Sequence, residues 1–201
     1  LSPEKGFDCA IDAAAIAGIP LRIAGEGPAD RDLRRRIERD KAPAELCGKV
    51  PHDTLRDLLR RAAMVVVPTS GNETVGLAAL EARAAGVPVV ATRAGALPEI
   101  TGEERCVPRG DALAMAARMD ELWADPRRRV DEGDAGLGAA GAGFAGGITL
   151  PPVQESDRAP GPQASEEREE RPGPPKQKAV GKGTGLRPVS YRLLTPTAAD
   201  P

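Results

Sequence analysis

Met64-Val65-Val66-Val67-Pro68-Thr69-Ser70-Gly71-Asn72-Glu73-Thr74-Val75-Gly76 leads into Leu77-Ala78-Ala79-Leu80-Glu81-Ala82-Arg83-Ala84-Ala85-Gly86 and on to Val87-Pro88-Val89-Val90-Ala91. The run at 64–67 has no polar residue to mark a solvent face, as expected of a parallel strand covered on both sides. A loop of turn formers follows. The spacing then predicts a helix over about 76–85 and a second strand at 87–91. Strand, helix and strand joined by short loops make a parallel crossover unit.

The same alternation continues on either side. Residues 5–17 carry Phe7, Ile11, Ala14 and Ala15 at helical spacing, and 21–24 (Leu-Arg-Ile-Ala) reads as a short strand. A very polar helix over 29–40 is anchored by Leu33 and Ile37, and 44–47 reads as another strand. Leu55, Leu58, Leu59 and Ala62 fall at i, i+3, i+4 and i+7 in a helix over 53–63, with His52 or Asp53 near its start. A last helix over 111–124 turns Met115, Met119 and Leu122 inward. The fold class is α/β: a Rossmann-like, mostly parallel sheet with helices on both faces. No internal repeat is visible.

Composition divides the chain. Its first 130 residues hold 10 Pro and 11 Gly, and its last 71 hold 10 Pro and 12 Gly. Residues 133–147 are mostly Gly and Ala, followed by Pro151-Pro152, the charged run 166–171 and Pro172-Gly173-Pro174-Pro175. Such a segment buries too little apolar surface to offset an ordering cost of about 1–2 kcal/mol per backbone residue. The expectation is one domain over 1–130 and a disordered low-complexity tail over 131–201. A formal charge of −2 supplies no basic field for nucleic acid. No apolar run approaches the ~20 residues that span a bilayer, and no secretory segment opens the chain. The three cysteines, Cys9, Cys47 and Cys106, fit neither a disulfide framework nor a zinc site and read as small apolar residues.

In a parallel α/β sheet, ligands bind beyond the carboxyl ends of the strands. The loops there are Gly25-Glu26-Gly27-Pro28, Gly48-Lys49-Val50-Pro51-His52, Pro68 to Gly76, and Thr92 to Glu99. Glycines in them can bring backbone N–H groups close to an anionic ligand. Taken alone, Gly25 and Gly27 fit a plain strand-to-helix turn equally well. Glu73 and Glu81 are eight apart, roughly 80° out of phase on an ideal helix, so helical geometry does not pair them. Glu73 falls in the loop and Glu81 within the helix. A carboxylate suits vicinal sugar hydroxyls, but from composition alone Glu81 reads as an exposed helix residue. His52 reads as a helix-start residue, and Arg34-Arg35-Arg36 as a solvated face.

The run from Asn72 to Ala82, with Ala85-Gly86-Val87-Pro88-Val89-Val90-Ala91-Thr92 and Gly95-Ala96-Leu97-Pro98-Glu99-Ile100, closely resembles family 4 glycosyltransferases, retaining enzymes of the GT-B fold with a Glu-x7-Glu motif. The resemblance covers about 1–130. Ser2-Pro3-Glu4-Lys5-Gly6 is similar to the opening of that family's C-terminal, donor-binding domain. Ile23 to Pro28, Gly48 to Pro51, Ala62 to Pro68 and Val107 to Asp111 follow in the family's order.

The resemblance implies a nucleoside-diphosphate sugar as donor. It gives Glu73 the hydroxyls of the transferred sugar, Glu81 the ribose, and Lys5 the charge of the leaving diphosphate. Amides around Thr74, Val75 and Gly76 would cradle the sugar phosphate, the loop at Lys49 and Val50 would meet the base, and Gly25 and Gly27 would line the rim. Glu73 and Lys5 are the catalytic candidates. No metal or other cofactor is implied. The sequence departs from the family's usual Phe at Val75, Met at Arg83 and Gly at Ala96.

The resemblance further implies a fragment without the N-terminal acceptor domain, with its catalytic-site His, and without the central strand ahead of Leu1 and an Arg that assists the lysine. Neighbouring strands would then expose unpaired backbone. The acceptor is unassigned: a glycan, a lipid or a small molecule. The implied location is cytoplasmic, or peripheral at the inner face of a membrane. The rival readings are a non-catalytic nucleotide-sugar-binding module and a GT-B sugar-nucleotide epimerase, the latter disfavoured by the 72–82 pattern.

Overall fold

The computed structural model describes residues 1–143. A 3-10 turn at Pro3–Lys5 precedes α1 (Phe7–Ala17), β1 (Leu21–Ala24), α2 (Asp30–Asp40), β2 (Ala44–Gly48), α3 (His52–Arg61) and β3 (Val65–Val67). Then come α4 (Leu77–Ala84), β4 (Val89–Thr92), α5 (Leu97–Thr101), a second 3-10 turn, β5 (Cys106–Val107), α6 (Ala112–Ala124) and α7 (Pro126–Gly143). Every strand pairing is parallel: β1 with β2, β3 with β4, and β4 with β5.

Residues of β3–β5 alternate between two cores because successive side chains leave a strand on opposite faces. Val66, Val90 and Val107 pack under α1 and α6 with Ala10, Ala13, Ala14, Met115, Met119 and Leu122. Val65, Val67, Val89, Ala91 and Cys106 pack on the other side with Ala79, Ala82 and Ala85 of the α4 region and Leu97 of α5. Covering on both faces is what the all-apolar run at 64–67 implied. The β1–β2 pair packs Ile23, Leu21, Ala44 and Leu46 against Ile11 of α1 and Leu33 and Ile37 of α2. On its other side, Arg22 and Glu45 are cross-strand neighbours, exposed, and 3.4 Å apart.

The sheet is divided. Among the described residues β1 pairs only with β2, and β3 only with β4. Helix α3 shares the looseness: none of its residues is buried, and Leu55, Leu58 and Leu59 are half-buried.

Several local expectations are corrected. The strand expected over 87–91 begins at Val89, because the Val87 N–H closes α4 on the Ala82 carbonyl (2.9 Å) and Pro88 has no N–H to give. Arg36 does not lie on a solvated face: it is half-buried and makes a bidentate pair with Asp12 of α1, at 2.8 and 2.6 Å. That hydrogen-bonded pair raises the guanidinium's pKa further. Helix α7 runs through the domain end expected at 130. Within it Gly133 is buried, Arg129 donates to the Leu122 and Trp123 carbonyls (both 2.8 Å), and Glu132 accepts from Arg118 at 2.7 Å. The disordered tail expected from 131 is therefore helical as far as Gly143; from 144 on it lies outside the described residues. Cys9 and Cys106 are buried and Cys47 is half-buried, all as free thiols. Burial pushes the Cys9 thiol up to about 11.

Candidate functional site

The carboxyl ends of β1, β2 and β3 carry the expected loops, and the stretch from Leu1 to Lys5 joins those after β1 and β3. The N–H of Ala29, after β1, donates to the Leu1 carbonyl (3.1 Å), while the Ser70 and Gly71 amides, after β3, donate to the Glu4 carbonyl at 2.9 and 3.0 Å. The Leu1 amino group also reaches the Glu26 carbonyl. This lacing places Lys5 over the loop that follows β3.

There Lys5 meets Glu73, 68 residues further on. Lys5 Nζ lies 2.8 Å from Glu73 Oε2, with the lysine side chain 46% exposed and the glutamate 14% exposed. The same oxygen accepts from Thr69 Oγ1 at 3.2 Å, and Oε1 accepts from the Gly76 N–H at 3.4 Å. The hydrogen bond from Lys5 is the main reason the carboxyl sits below its ordinary value of 4.5, and it outweighs the opposing effect of burial. The backbone of Glu73 is fixed as well: its carbonyl accepts from Ala96 N at 2.8 Å, in the loop after β4. Two buried threonines lie beneath, with Thr92 Oγ1 donating to the Thr69 carbonyl at 2.6 Å.

Of the candidates from sequence, Lys5, Glu73 and Gly76 form one hydrogen-bonded cluster, with Thr74 and Val75 exposed between them along the loop. The Gly76 amide is turned to Glu73, so in this structure it is not aimed outward. A second cluster joins the β1 and β2 loops: Gly25 N donates to the Gly48 carbonyl at 2.8 Å, and Lys49 N to Glu26 Oε1 at 3.4 Å. Val50 is half-buried beside it in the chain. Gly27 is required for close approach, since a Cβ there would meet the Leu1 backbone at 2.0 Å.

Glu81 stands apart from both clusters. It lies on the second turn of α4, half-buried, and among the described residues no hydrogen bond or ion pair ties its carboxylate. His52 opens α3, exposed. Thr69, Thr92 and Gly95 were not singled out in the sequence. A threonine in a loop carries no period; only its place directly after β3 could have marked Thr69. Among the described residues, no group of three or more His, Cys, Asp or Glu could hold a metal ion. No helix there is long and apolar enough to cross a membrane.

A parallel α/β domain with glycine-bearing loops and a lysine–glutamate pair at its carboxyl rim has the layout of a ligand-binding domain. The chain is a member of the glycosyl transferases group 1: that family's sequence profile matches residues 1–125. Among curated relatives it is 40% identical over 129 residues to a GDP-mannose-dependent alpha-(1-6)-phosphatidylinositol dimannoside mannosyltransferase of Mycobacterium tuberculosis, covering 59% of this chain and 32% of that protein. It is 35% identical over 144 residues to a D-inositol 3-phosphate glycosyltransferase of Pseudarthrobacter chlorophenolicus, covering 65% and 34%. The chain thus spans about a third of the length of these relatives.

Solved structures agree on the fold. The C-terminal domain of LpcC, a glycosyl transferase group 1 family protein from Francisella tularensis, matches with a TM-score of 0.64 at 24% identity, over 71% of this chain and 81% of that one. Anabaena HepE, solved in complex with UDP-glucose, matches with a TM-score of 0.64 at 22% identity, over 72% and 42%.

Proposed function

We propose that this domain is the donor-binding half of a retaining glycosyltransferase that moves a sugar from a nucleoside-diphosphate sugar to an acceptor. The observation that carries the reading is the Lys5–Glu73 pair, 2.8 Å apart at the mouth of the loop after β3. An ammonium has three protons and gives one to Glu73, so two remain for an anionic ligand. Lys5 then supports the charge that grows on the leaving diphosphate, an interaction strongest in the transition state. Glu73, held ionised, accepts from hydroxyls of the transferred sugar. The unpaired Glu81 carboxylate accepts from the two ribose hydroxyls, and the Lys49–Val50 loop meets the base. Thr74 and Val75 line the phosphate, with Gly25 and Gly27 on the rim. Lys5 and loop amides carry the diphosphate charge, so no metal is required. The HepE complex with UDP-glucose and the relative named for GDP-mannose dependence both support a donor of this class. On the same reading the acceptor is bound by an N-terminal half, and the protein works in the cytoplasm, free or peripheral at the inner face of the membrane.

Calorimetric titration of the chain with uridine and guanosine diphosphates tests this. One of them binds, and Lys5→Ala and Glu81→Ala each weaken it by about tenfold or more, the worth of a charged hydrogen bond. Unchanged affinity in both folded variants overturns the site. Binding by a full-length protein that neither transfers nor hydrolyses the sugar favours the non-catalytic module instead.

A further inference from the structure

The two oxygens of the Glu73 carboxylate are not equivalent. Oε2 is held twice, by Lys5 Nζ at 2.8 Å and Thr69 Oγ1 at 3.2 Å, whereas Oε1 has only the long 3.4 Å contact from the Gly76 amide. Thr69 is 2% exposed and Thr92 fully buried, so their hydroxyls are shielded from water and keep fixed directions. Thr92 Oγ1 donates to the Thr69 carbonyl at 2.6 Å, which ties the start of the loop to β4, the strand paired on both sides. The Ala96 amide holds the Glu73 carbonyl from the same side. The carboxylate is therefore aimed from beneath by parts of the sheet that bear no charge.

We propose that Thr69 is a positioning residue: its hydroxyl, anchored through Thr92, commits Oε2 of Glu73 to Lys5 and leaves Oε1 as the acceptor that meets the donor's sugar. Thr69 touches no ligand. It acts through Glu73, by fixing the rotation of the carboxylate about its terminal bond, a torsion otherwise broad and soft. Lys5 is the charged group that acts most strongly on Glu73; Thr69 and the Gly76 amide are its other hydrogen-bond partners among the described residues, and the loop after β4 presents backbone to it. Removing the Thr69 hydroxyl removes a bond to the ionised form, so the Glu73 carboxyl becomes easier to protonate and its titration moves to higher pH.

The inference rests on the proposed donor site, and two measurements separate the two. The first uses no ligand: carbon-13 NMR of the Glu73 carboxyl is followed against pH in wild type, Thr69→Val and Thr69→Ser. The midpoint rises in Thr69→Val and returns toward wild type in Thr69→Ser, which keeps the hydroxyl. Coincident midpoints in all three overturn the proposal. The second compares affinity for a nucleoside-diphosphate sugar with affinity for the bare diphosphate. Thr69→Val lowers the first by about three- to tenfold and leaves the second unchanged. An equal loss for both ligands, as a merely unfolded loop would give, overturns it as well. If Thr69→Val does not fold, Thr69→Ala takes its place in both experiments. A wild type that binds neither ligand but shows the shifted midpoints fails the donor reading alone.

Discussion

Gly95 shows how narrowly the site is set. Its φ is +52°, and a Cβ there would stand 2.0 Å from the Glu73 carbonyl oxygen and 2.8 Å from the Glu73 nitrogen. Both atoms are backbone, so neither can turn aside as a side-chain tip could. The loop after β4 must either leave Glu73 or carry it along. Gly95→Ala therefore combines a left-handed backbone cost with a clash. It should lower stability by about 2–4 kcal/mol in urea unfolding and displace the carboxylate from Lys5, as a loss of nucleotide-sugar affinity would show. Wild-type stability would mean that the two loops are not in contact in solution. At this scale the sequence exposed the charged partners and hid their supports. Lys5, Glu73 and Glu81 are conspicuous by type and place, whereas Thr69 and Gly95 act through backbone proximity, which no spacing rule encodes.

At the scale of elements, periodicity located α1, α2, α3, α4 and α6 and the strands β1 to β4 to within a few residues. It missed α5 and β5, which span five and two residues and are too short to show a period. Helix α7 was missed for another reason. A segment of mostly Gly and Ala offers little apolar surface to set against its ordering cost, and the use of its glycines in packing leaves no mark in composition. Gly133 lies against the end of α4, where a Cβ would meet the Gly86 carbonyl oxygen at 2.1 Å. Gly136 lies against Arg83, where a Cβ would meet the Arg83 Cβ at 3.3 Å and its Cα at 3.4 Å, a tight contact that the neighbour must yield to by a few tenths of an ångström. Two alanine substitutions three residues apart should therefore differ in size. Gly133→Ala forces α7 off α4 and destabilises by about 2 kcal/mol or more. Gly136→Ala costs less, because a helix-propensity gain of about 1 kcal/mol offsets the smaller shift asked of Arg83. Thermal melts of the two variants would check this, and equal losses would show that α7 is not seated on α4.

At the scale of the whole molecule, the divided sheet dictates the behaviour. The β1 and β3 strands are tied to one another only indirectly. The face of α1 bearing Ile11 packs with β1, and its Ala10, Ala13 and Ala14 pack with the cluster that holds Val66. Both strands end beside the stretch from Leu1 to Glu4, as the bonds to Ala29, Ser70 and Gly71 show. A strand arriving at Leu1 would thus run parallel to both and fill their unpaired edges. Val65 and Val66 of β3, on opposite faces of the strand, are only half-buried as it stands. Two or three apolar side chains buried this way contribute roughly 3–9 kcal/mol, and with about 1 kcal/mol for each hydrogen bond to the open edges they outweigh the roughly 5–10 kcal/mol cost of ordering five residues by a few kcal/mol. Adding five β-branched apolar residues ahead of Leu1 should accordingly raise Tm by roughly 5–15 °C, and a Gly/Ser extension of equal length should not. Amide exchange supplies the local reading: Val65–Val67 and Leu21–Ala24 should gain protection with the apolar extension, while Val89–Thr92, already paired on both sides, changes little. Because that strand would also clamp Leu1 and hence Lys5, nucleotide affinity should rise with Tm. A rise in Tm that leaves affinity untouched would separate the scaffold from the site.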